Sequence, residues 1–309
     1  MTPQATVVIV TKDRRDDALR AVGSAVGQQP PVEVLVIDDG SSDGTAEAVR
    51  EAFPGVRVER REPAEGLVVR RNEAAELADS PIIVSIDDDA VFTTEHVVAR
   101  TVSEFDDPRV GAVAMPYIDL PQGEGVLQRA PGEDGVFVTH RFRGTAHALR
   151  RELFLALGGY RQLLFQQAEE PDLAIRLLDA GRVVRLGRAD PVRHFASPAR
   201  DVERMWFYEC RNEVLFAWHN VPMPDLPVQL ARTILHMLWL GRGVRRTRLF
   251  ARGLLAGFRT ALRRSSGRQS VRRDTWRLYT RLGKEPMRID DVSALLARPR
   301  IESNAGAPA

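Results

Sequence analysis

Val84-Ser85-Ile86-Asp87-Asp88-Asp89-Ala90 sets an apolar run directly against three consecutive carboxylates. A second stretch, Val36-Ile37-Asp38-Asp39-Gly40-Ser41-Ser42-Asp43-Gly44-Thr45, repeats the pattern with two acids and a turn-forming tail. Val7-Val8-Ile9-Val10 and Ile82-Ile83-Val84 are apolar without alternation, as strands are when both faces of their sheet are covered. Working outward, strands are predicted at Thr6–Val10, Glu33–Ile37, Val56–Glu59, Pro81–Ile86 and Val110–Ala114. Helical patterns lie between them at Arg15–Val26, Gly44–Ala52, Leu67–Ala78 and Thr94–Phe105. That alternation specifies an α/β fold, a mostly parallel sheet flanked by helices. Ligands of such sheets bind outside the carboxyl ends of the strands, which is where both acidic stretches fall.

Adjacent carboxylates beside a buried strand repel one another and lose solvation, and a divalent cation relieves both costs. A divalent cation near Asp87–Asp89 is the economical explanation for that run. For Asp38–Thr45 a turn with Ser42 or Asp43 capping the next helix accounts for part of the pattern.

Beyond Pro116 the rhythm breaks. Pro121–Gly135, rich in Gly, Pro and acids, reads as an exposed loop, and Val136–Phe142 as a strand. Helices are predicted at Arg151–Leu157 and Pro171–Ala180, the second with Pro in its first turn, Gly181 past its end and Leu173, Leu177 and Leu178 as its core stripe. A strand follows at Val183–Leu186. From Val202 nearly everything reads as helix. Trp206, Tyr208, Arg211, Asn212 and Trp218 recur there at helical spacing and read as core packing. The prolines Pro222, Pro224 and Pro227 separate a body, 1–226, from a basic helical extension, 227–309, that ends in a frayed tail at Ser303–Ala309.

Charge divides at the same place. Residues 1–226 hold 26 Lys+Arg against 37 Asp+Glu, whereas residues 227–283 hold 14 Arg against Asp274 alone, although the whole chain of 309 residues nets only +2. An acidic body with a basic arm implies an anionic surface or another subunit as the arm's partner. The arm is amphipathic, with Leu230, Ile234, Met237 and Leu238 on one stripe and Leu249, Leu254, Leu255 and Phe258 on another. Such helices suit anionic lipid; a homo-oligomer contact is the alternative, and no motif supports nucleic-acid binding. The single cysteine, Cys210, excludes an intrachain disulfide, no Cys/His cluster suggests zinc, and no signal peptide or run of roughly 20 apolar residues is present. The expected location is the cytoplasm, with the arm able to rest on the inner face of the cell membrane.

Together with Val7-Val8-Ile9-Val10-Thr11-Lys12-Asp13-Arg14, Arg71-Asn72, Gly158-Gly159-Tyr160 and Glu169-Glu170-Pro171-Asp172-Leu173-Ala174-Ile175-Arg176-Leu177, the two acidic stretches resemble a known set of motifs. In this order, over about 220 residues, they resemble those of the inverting nucleotide-sugar glycosyltransferases of family 2, which have the GT-A fold. The resemblance implies that Asp39, with Asp38, contacts the nucleoside of a UDP- or dTDP-sugar, and that Thr11, Asp13, Arg14 and Arg71 line the same pocket. Asp87-Asp88-Asp89 would be the DxD motif holding Mn2+ or Mg2+, Asp89 reaching the metal directly and Asp87 the ribose or a metal-bound water. His194, after the Val183–Leu186 strand, would help hold metal or diphosphate, with a core histidine the plainer reading, and Arg211 is a further candidate for diphosphate contact. Glu170 would be the general base, placed by Pro171 at the helix N-cap, where the dipole favours the ionised form. The family usually has Asp at that position, so Glu169 and Asp172 stay open as alternatives.

The expected reaction is transfer of a sugar to a hydroxyl acceptor on a glycan, a lipid carrier or a small molecule. A sugar-phosphate nucleotidyltransferase would want glycines after the first strand, where Thr11-Lys12-Asp13-Arg14 has none. A receiver-like signalling domain would explain Asp38-Asp39 but neither the length nor Asp87–Asp89.

Overall fold

The computed structural model describes residues 4–195, 201–263, 268–293 and 295–296. Its first half runs β1 (Ala5–Thr11), α1 (Arg15–Val26), β2 (Glu33–Asp38), α2 (Thr45–Ala52), β3 (Arg57–Arg60), α3 (Leu67–Leu77), β4 (Ile82–Asp87), β5 (Ala90–Phe92), α4 (Val97–Ser103), β6 (Val110–Ala114), β7 (Tyr117–Asp119) and β8 (Val126–Leu127). There follow β9 (Phe137–Thr139), β10 (Ala146–Arg150), α5 (Arg151–Ala156), α6 (Glu169–Asp179), β11 (Val183–Leu186) and β12 (Val192–His194). The remainder is α7 (Val202–Asn220), α8 (Asp225–Gly243), α9 (Thr247–Arg263), α10 (Arg273–Leu282), β13 (Met287–Arg288) and α11 (Ile289–Ser293).

The expected α/β sheet is present. A nine-stranded sheet has the order β13-β9-β11-β6-β10-β4-β1-β2-β3, parallel from β4 to β3. Side chains alternate between its faces, as strand geometry requires. Val7 and Ile9 pack with Ala18, Ala21 and Val22 of α1, whereas Val8 packs with Val68 and Ala74 of α3 and Leu173 of α6. Covering both faces explains why these strands carry no polar alternation.

β10 enters antiparallel between β4 and β6 and was not expected. Its Ala-His-Ala-Leu-Arg sequence has little strand propensity; the two neighbouring strands impose the conformation. A small second sheet, β5-β12-β7-β8, was likewise unanticipated, because strands of two or three residues carry no readable period. β8 lies within the otherwise exposed Pro121–Gly135 stretch. α4 starts at Val97 rather than Thr94, because Thr93 and Thr94 are tied through their hydroxyls to Pro191 O and Asp190.

Beyond residue 226 the composition changes but the packing continues. Trp276, Tyr279 and Leu282 of α10, Met287 and Ile289 share the core that holds Val7 and Val84, and β13 extends the main sheet. α8 and α9 pack on α7, burying Cys210, Val214, Met237, Phe250 and Leu254 together. Most of the apolar stripes that the sequence suggested for lipid are therefore spent inside the protein. Leu230, Ile234, Met237, Leu238, Leu249, Leu254 and Phe258 all belong to this inner cluster, and of the stripe residues only Leu255 is exposed. No helix among the described residues is long and apolar enough to cross a membrane. The Ser303–Ala309 tail lies outside the described residues.

Candidate active site

Register brings the acidic stretches together. Thr11 at the end of β1 lies opposite Asp38 of β2, and Val10 lies opposite Asp87 of β4. These carboxyl ends open on a cavity of about 1110 Å³. Thr11, Asp13, Arg14, Asp39, Arg71, Asp87, Asp88, Glu169, Glu170 and His194 all line it. Asp38, Asp89, Asp172 and Arg211 do not.

Asp87, Asp89 and His194 each aim one ligand atom into a common space, all within 4.8 Å of one another. The small sheet makes this meeting possible: β12 pairs with β5 so that His194 stands opposite Ala90, the residue after Asp89, and opposite Asp119 of β7. His194 Nδ1 lies 2.9 Å from Asp119 Oδ1, which leaves Nε2, 3.3 Å from Asp89 Oδ1, to face the acids. A carboxylate behind a ligating imidazole is the usual way to fix its tautomer and orientation. Burial opposes the charge on His194, but hydrogen bonding to Asp89 and the fields of Asp87 and Asp89 outweigh it and raise the pKa. Two carboxylates and an imidazole suit Mn2+ or Mg2+, so the donor set fits the ion the sequence anticipated.

Asp88 faces the end of β1, accepting from Thr11 Oγ1 at 2.9 Å and from Arg14 Nη1 at 2.8 Å. Burial pushes it up to about 7, Arg14 counteracts, and Asp89 adds repulsion. Asp39 is largely engaged by its own fold. It accepts from Glu65 N at 2.9 Å, Gly66 N at 2.8 Å and Arg70 Nε at 2.7 Å, and so clamps the turn that starts α3. Gly66 is required there: its φ is +94°, and a Cβ would stand 2.8 Å from the Phe165 ring. Asp38 is fully buried and accepts from Ser41 N, whereas Asp13 accepts from Ser42 and ties the β1 and β2 loops together.

Arg71 links the acids to the second half of the site. Its Nη2 donates to Asp87 Oδ1 at 2.8 Å and to Gly144 O at 3.0 Å, while Nη1 lies 3.7 Å from Glu169 Oε1 and 3.9 Å from Glu170 Oε1. Behind it, Tyr160 OH donates to His147 Nε2 at 2.9 Å and His147 Nδ1 donates to Gly144 O at 3.1 Å. Burial and Arg71 hold this histidine down at about 3, so it is neutral. Gly144 has no room for a side chain: a Cβ would collide with Glu170 Oε1 and stand 2.8 Å from Arg71 Nη1.

Burial and repulsion from Glu170 push Glu169 up to about 8, against the pull of Arg71; burial raises Glu170 as well. α6 begins at Glu169 with Ala168 as its N-cap, so Glu170 stands in the first turn and not at the N-cap as the sequence suggested. Asp172 turns away from the cavity. Its Oδ1 accepts from Asn220 at 2.8 Å, and its Oδ2 meets Arg176 at 2.9 Å and Arg161 at 3.2 Å. Burial opposes that charge, but the two arginines win and lower its pKa. Arg211 donates to Leu163 O and Asn212 Oδ1 and so braces a loop.

That loop, 162–168, has a backbone the sequence could not specify. Phe165, Gln167 and Ala168 all have φ between 64° and 67°, uncommon for side-chain-bearing residues and a frequent mark of functional sites. Buried Asn212 Nδ2 donates to Leu164 O, Gln166 O and Gln167 O at 2.6 to 2.8 Å and secures the strained turn just ahead of Glu169. No sequence signal marks Asn212 for this. Asp119 could have been found, since Tyr117-Ile118-Asp119 is a short copy of the strand-then-acid pattern.

The sequence profile described as Glycosyl transferase family 2 matches residues 6–166, more than half of the chain. The chain belongs to this family. Among curated proteins, this family 2 chain is 38% identical over 89 residues to the succinoglycan biosynthesis protein ExoU of Rhizobium meliloti, a match spanning 28% of the chain and 26% of that protein. Its fold resembles the mannosyltransferase PcManGT from Pyrobaculum calidifontis in complex with GDP-Man and Mn2+, with a TM-score of 0.59 and 23% identity over 92% of this chain and 85% of that one. It also resembles GalNAc-T7 with UDP, GalNAc and Mn2+, with a TM-score of 0.55 and 18% identity over 71% of this chain and 49% of that one. These likenesses show the GT-A fold for the family 2 chain.

Proposed function

We propose that this protein is an inverting, metal-dependent glycosyltransferase. It moves a sugar from a UDP- or dTDP-linked donor to a hydroxyl of a glycan, a lipid-linked carrier or a secondary metabolite. The observation that carries this reading is the meeting, at one cavity, of Asp87 and His194, with Asp89 grouped beside them, and the Glu169 and Glu170 pair, joined through Arg71. Family membership and the Mn2+ in the two similar structures support it.

Asp87, Asp89 and His194 would hold the cation, with Asp119 orienting the imidazole. A divalent cation bound there supplies positive charge that offsets the charge on the departing nucleoside diphosphate, so no acid need protonate it. Arg14 and Arg71 add fixed positive charge on the donor side. Burial raises both carboxyls, and Glu170, with its side chain 16% exposed against 3% for Glu169, is the member an acceptor hydroxyl can reach. Glu170 takes the acceptor hydroxyl's proton as that oxygen attacks the anomeric carbon. Gly144 and Arg71 set where its carboxylate stands.

The test is a thermal-shift series with UDP, dTDP, GDP and ADP, each with and without Mn2+, because a ligand that binds only the native state raises its apparent stability. Stabilisation by UDP or dTDP that requires Mn2+ is the expected result. A protein indifferent to all four nucleotides in the presence of Mn2+ does not have this function.

A further inference from the structure

With the expected apolar stripes turned inward, α8 and α9 present a different face to the outside. On α8 the outward stripe reads Val228, Arg232, Leu235, Trp239 and Arg242; on α9 it reads Arg248, Arg252, Leu255, Arg259 and Leu262, and all ten residues are exposed. The spacing alternates four and three along both helices, so each set forms one continuous ridge. Leu235 is 70% exposed, Trp239 71% and Leu262 69%. Residues 227–263 contain eight arginines and no acid.

We propose that this α8 and α9 face docks the protein on an anionic lipid bilayer, lying in the interface without crossing it. Charge and chemistry select that partner together. The two ridges carry five exposed arginines and no acid, which suits an anionic surface, and each arginine near one strengthens binding about fivefold. Exposed leucines flanking a tryptophan suit the boundary between headgroups and acyl chains, where an amphipathic ring has both environments. A nucleic acid would use the arginines and leave the leucines in water; a second copy would bring the same positive charge.

The face also adjoins the cavity. Arg246, in the turn between α8 and α9, pairs with Glu203, next to Arg204 and Met205, which line the cavity mouth. Resting on the transferase reading, this makes an acceptor anchored in the same bilayer the substrate class that the docked protein would meet.

The experiment is flotation of the full-length protein with vesicles of phosphatidylglycerol mixed with phosphatidylcholine, against vesicles of phosphatidylcholine alone. Binding is expected to the first only, to be reversed by high salt, and to shift tryptophan emission to shorter wavelength. Arg252→Ser with Arg259→Ser should weaken it about 25-fold, and Leu235→Glu with Leu262→Glu should abolish it. All four positions are exposed, so melting temperatures should be unchanged and any loss is not a folding defect. Equal binding to neutral vesicles, full binding by both double variants, a dimer in solution that Leu235→Glu dissolves, or retention by RNA in place of vesicles would each overturn the proposal. UDP with Mn2+ is titrated in parallel. Vesicle binding without nucleotide binding leaves the docking intact and removes the acceptor argument; nucleotide binding without vesicle binding removes the docking alone.

Discussion

Replacing Asp172 by Asn keeps the side chain's shape and removes one negative charge from a site that has almost no contact with water. Asp172 is 1% exposed and stands between Arg161 and Arg176, with Asn220 on its other oxygen. Without the carboxylate, two half-buried guanidinium groups share a pocket with no anion between them. Breaking a buried pair by removing one partner costs about 3 kcal/mol or more. At roughly 2–4 °C per kcal/mol for a chain of this size, the melting temperature should fall by about 6–12 °C. The pH dependence has a definite sign. The arginines hold the folded-state pKa of Asp172 below its ordinary 3.8, so its stabilisation is complete above that value and is lost as pH falls through the lower, folded-state value. The gap between wild type and Asp172→Asn should therefore be constant from pH 5 to 8 and close only in stronger acid. Thermal melts across pH measure this without a substrate. An Asn variant that melts like the wild type but has lost turnover would make Asp172 the general base and refute the assignment made from its contacts.

Glu170→Gln should behave in the opposite way, with melting temperature held or raised because a buried carboxylate no longer has to carry its charge out of water, Mn2+-dependent UDP or dTDP affinity retained, and turnover down roughly 10²-fold or more. In the wild type the rate should fall as pH drops through the raised Glu170 pKa, above the ordinary 4.5, and the Gln variant should lack that limb. Asp89→Asn should weaken Mn2+ binding, followed by electron paramagnetic resonance of the free ion, by about 10²-fold; unchanged Mn2+ affinity removes Asp89 from the metal group. Gly144→Ala drives a methyl group between Glu170 and Arg71, so turnover should drop by about 10²-fold from a displacement near 1 Å, and kinetics matching the wild type would show that neither side chain's position matters.

Much of the frame was legible in the chain because repeated, similar residues record it. An unalternating Val7–Val10 or Ile82–Val84 has one stable use, a strand covered on both faces, and acids placed directly after such strands have to gather at their carboxyl ends. Composition likewise marked residues 227–283 as a basic stretch set apart from an acidic body. Tertiary structure decided whatever depends on choosing between nearby residues. Glu170 and Asp172 are two apart on α6, about 200° around the helix, so one faces the cavity and the other the arginines, and local pattern cannot say which. His194 and Asp119 reach the acids through strands too short to carry a period. Asn212 reads as core packing until the three carbonyls it holds come close. In α8 and α9 the sequence offers more than one apolar stripe on each helix, and contact with α7 consumes one while leaving another for the outside. Each of these outcomes rests on groups distant in sequence meeting in space, which is information no local stretch of residues contains.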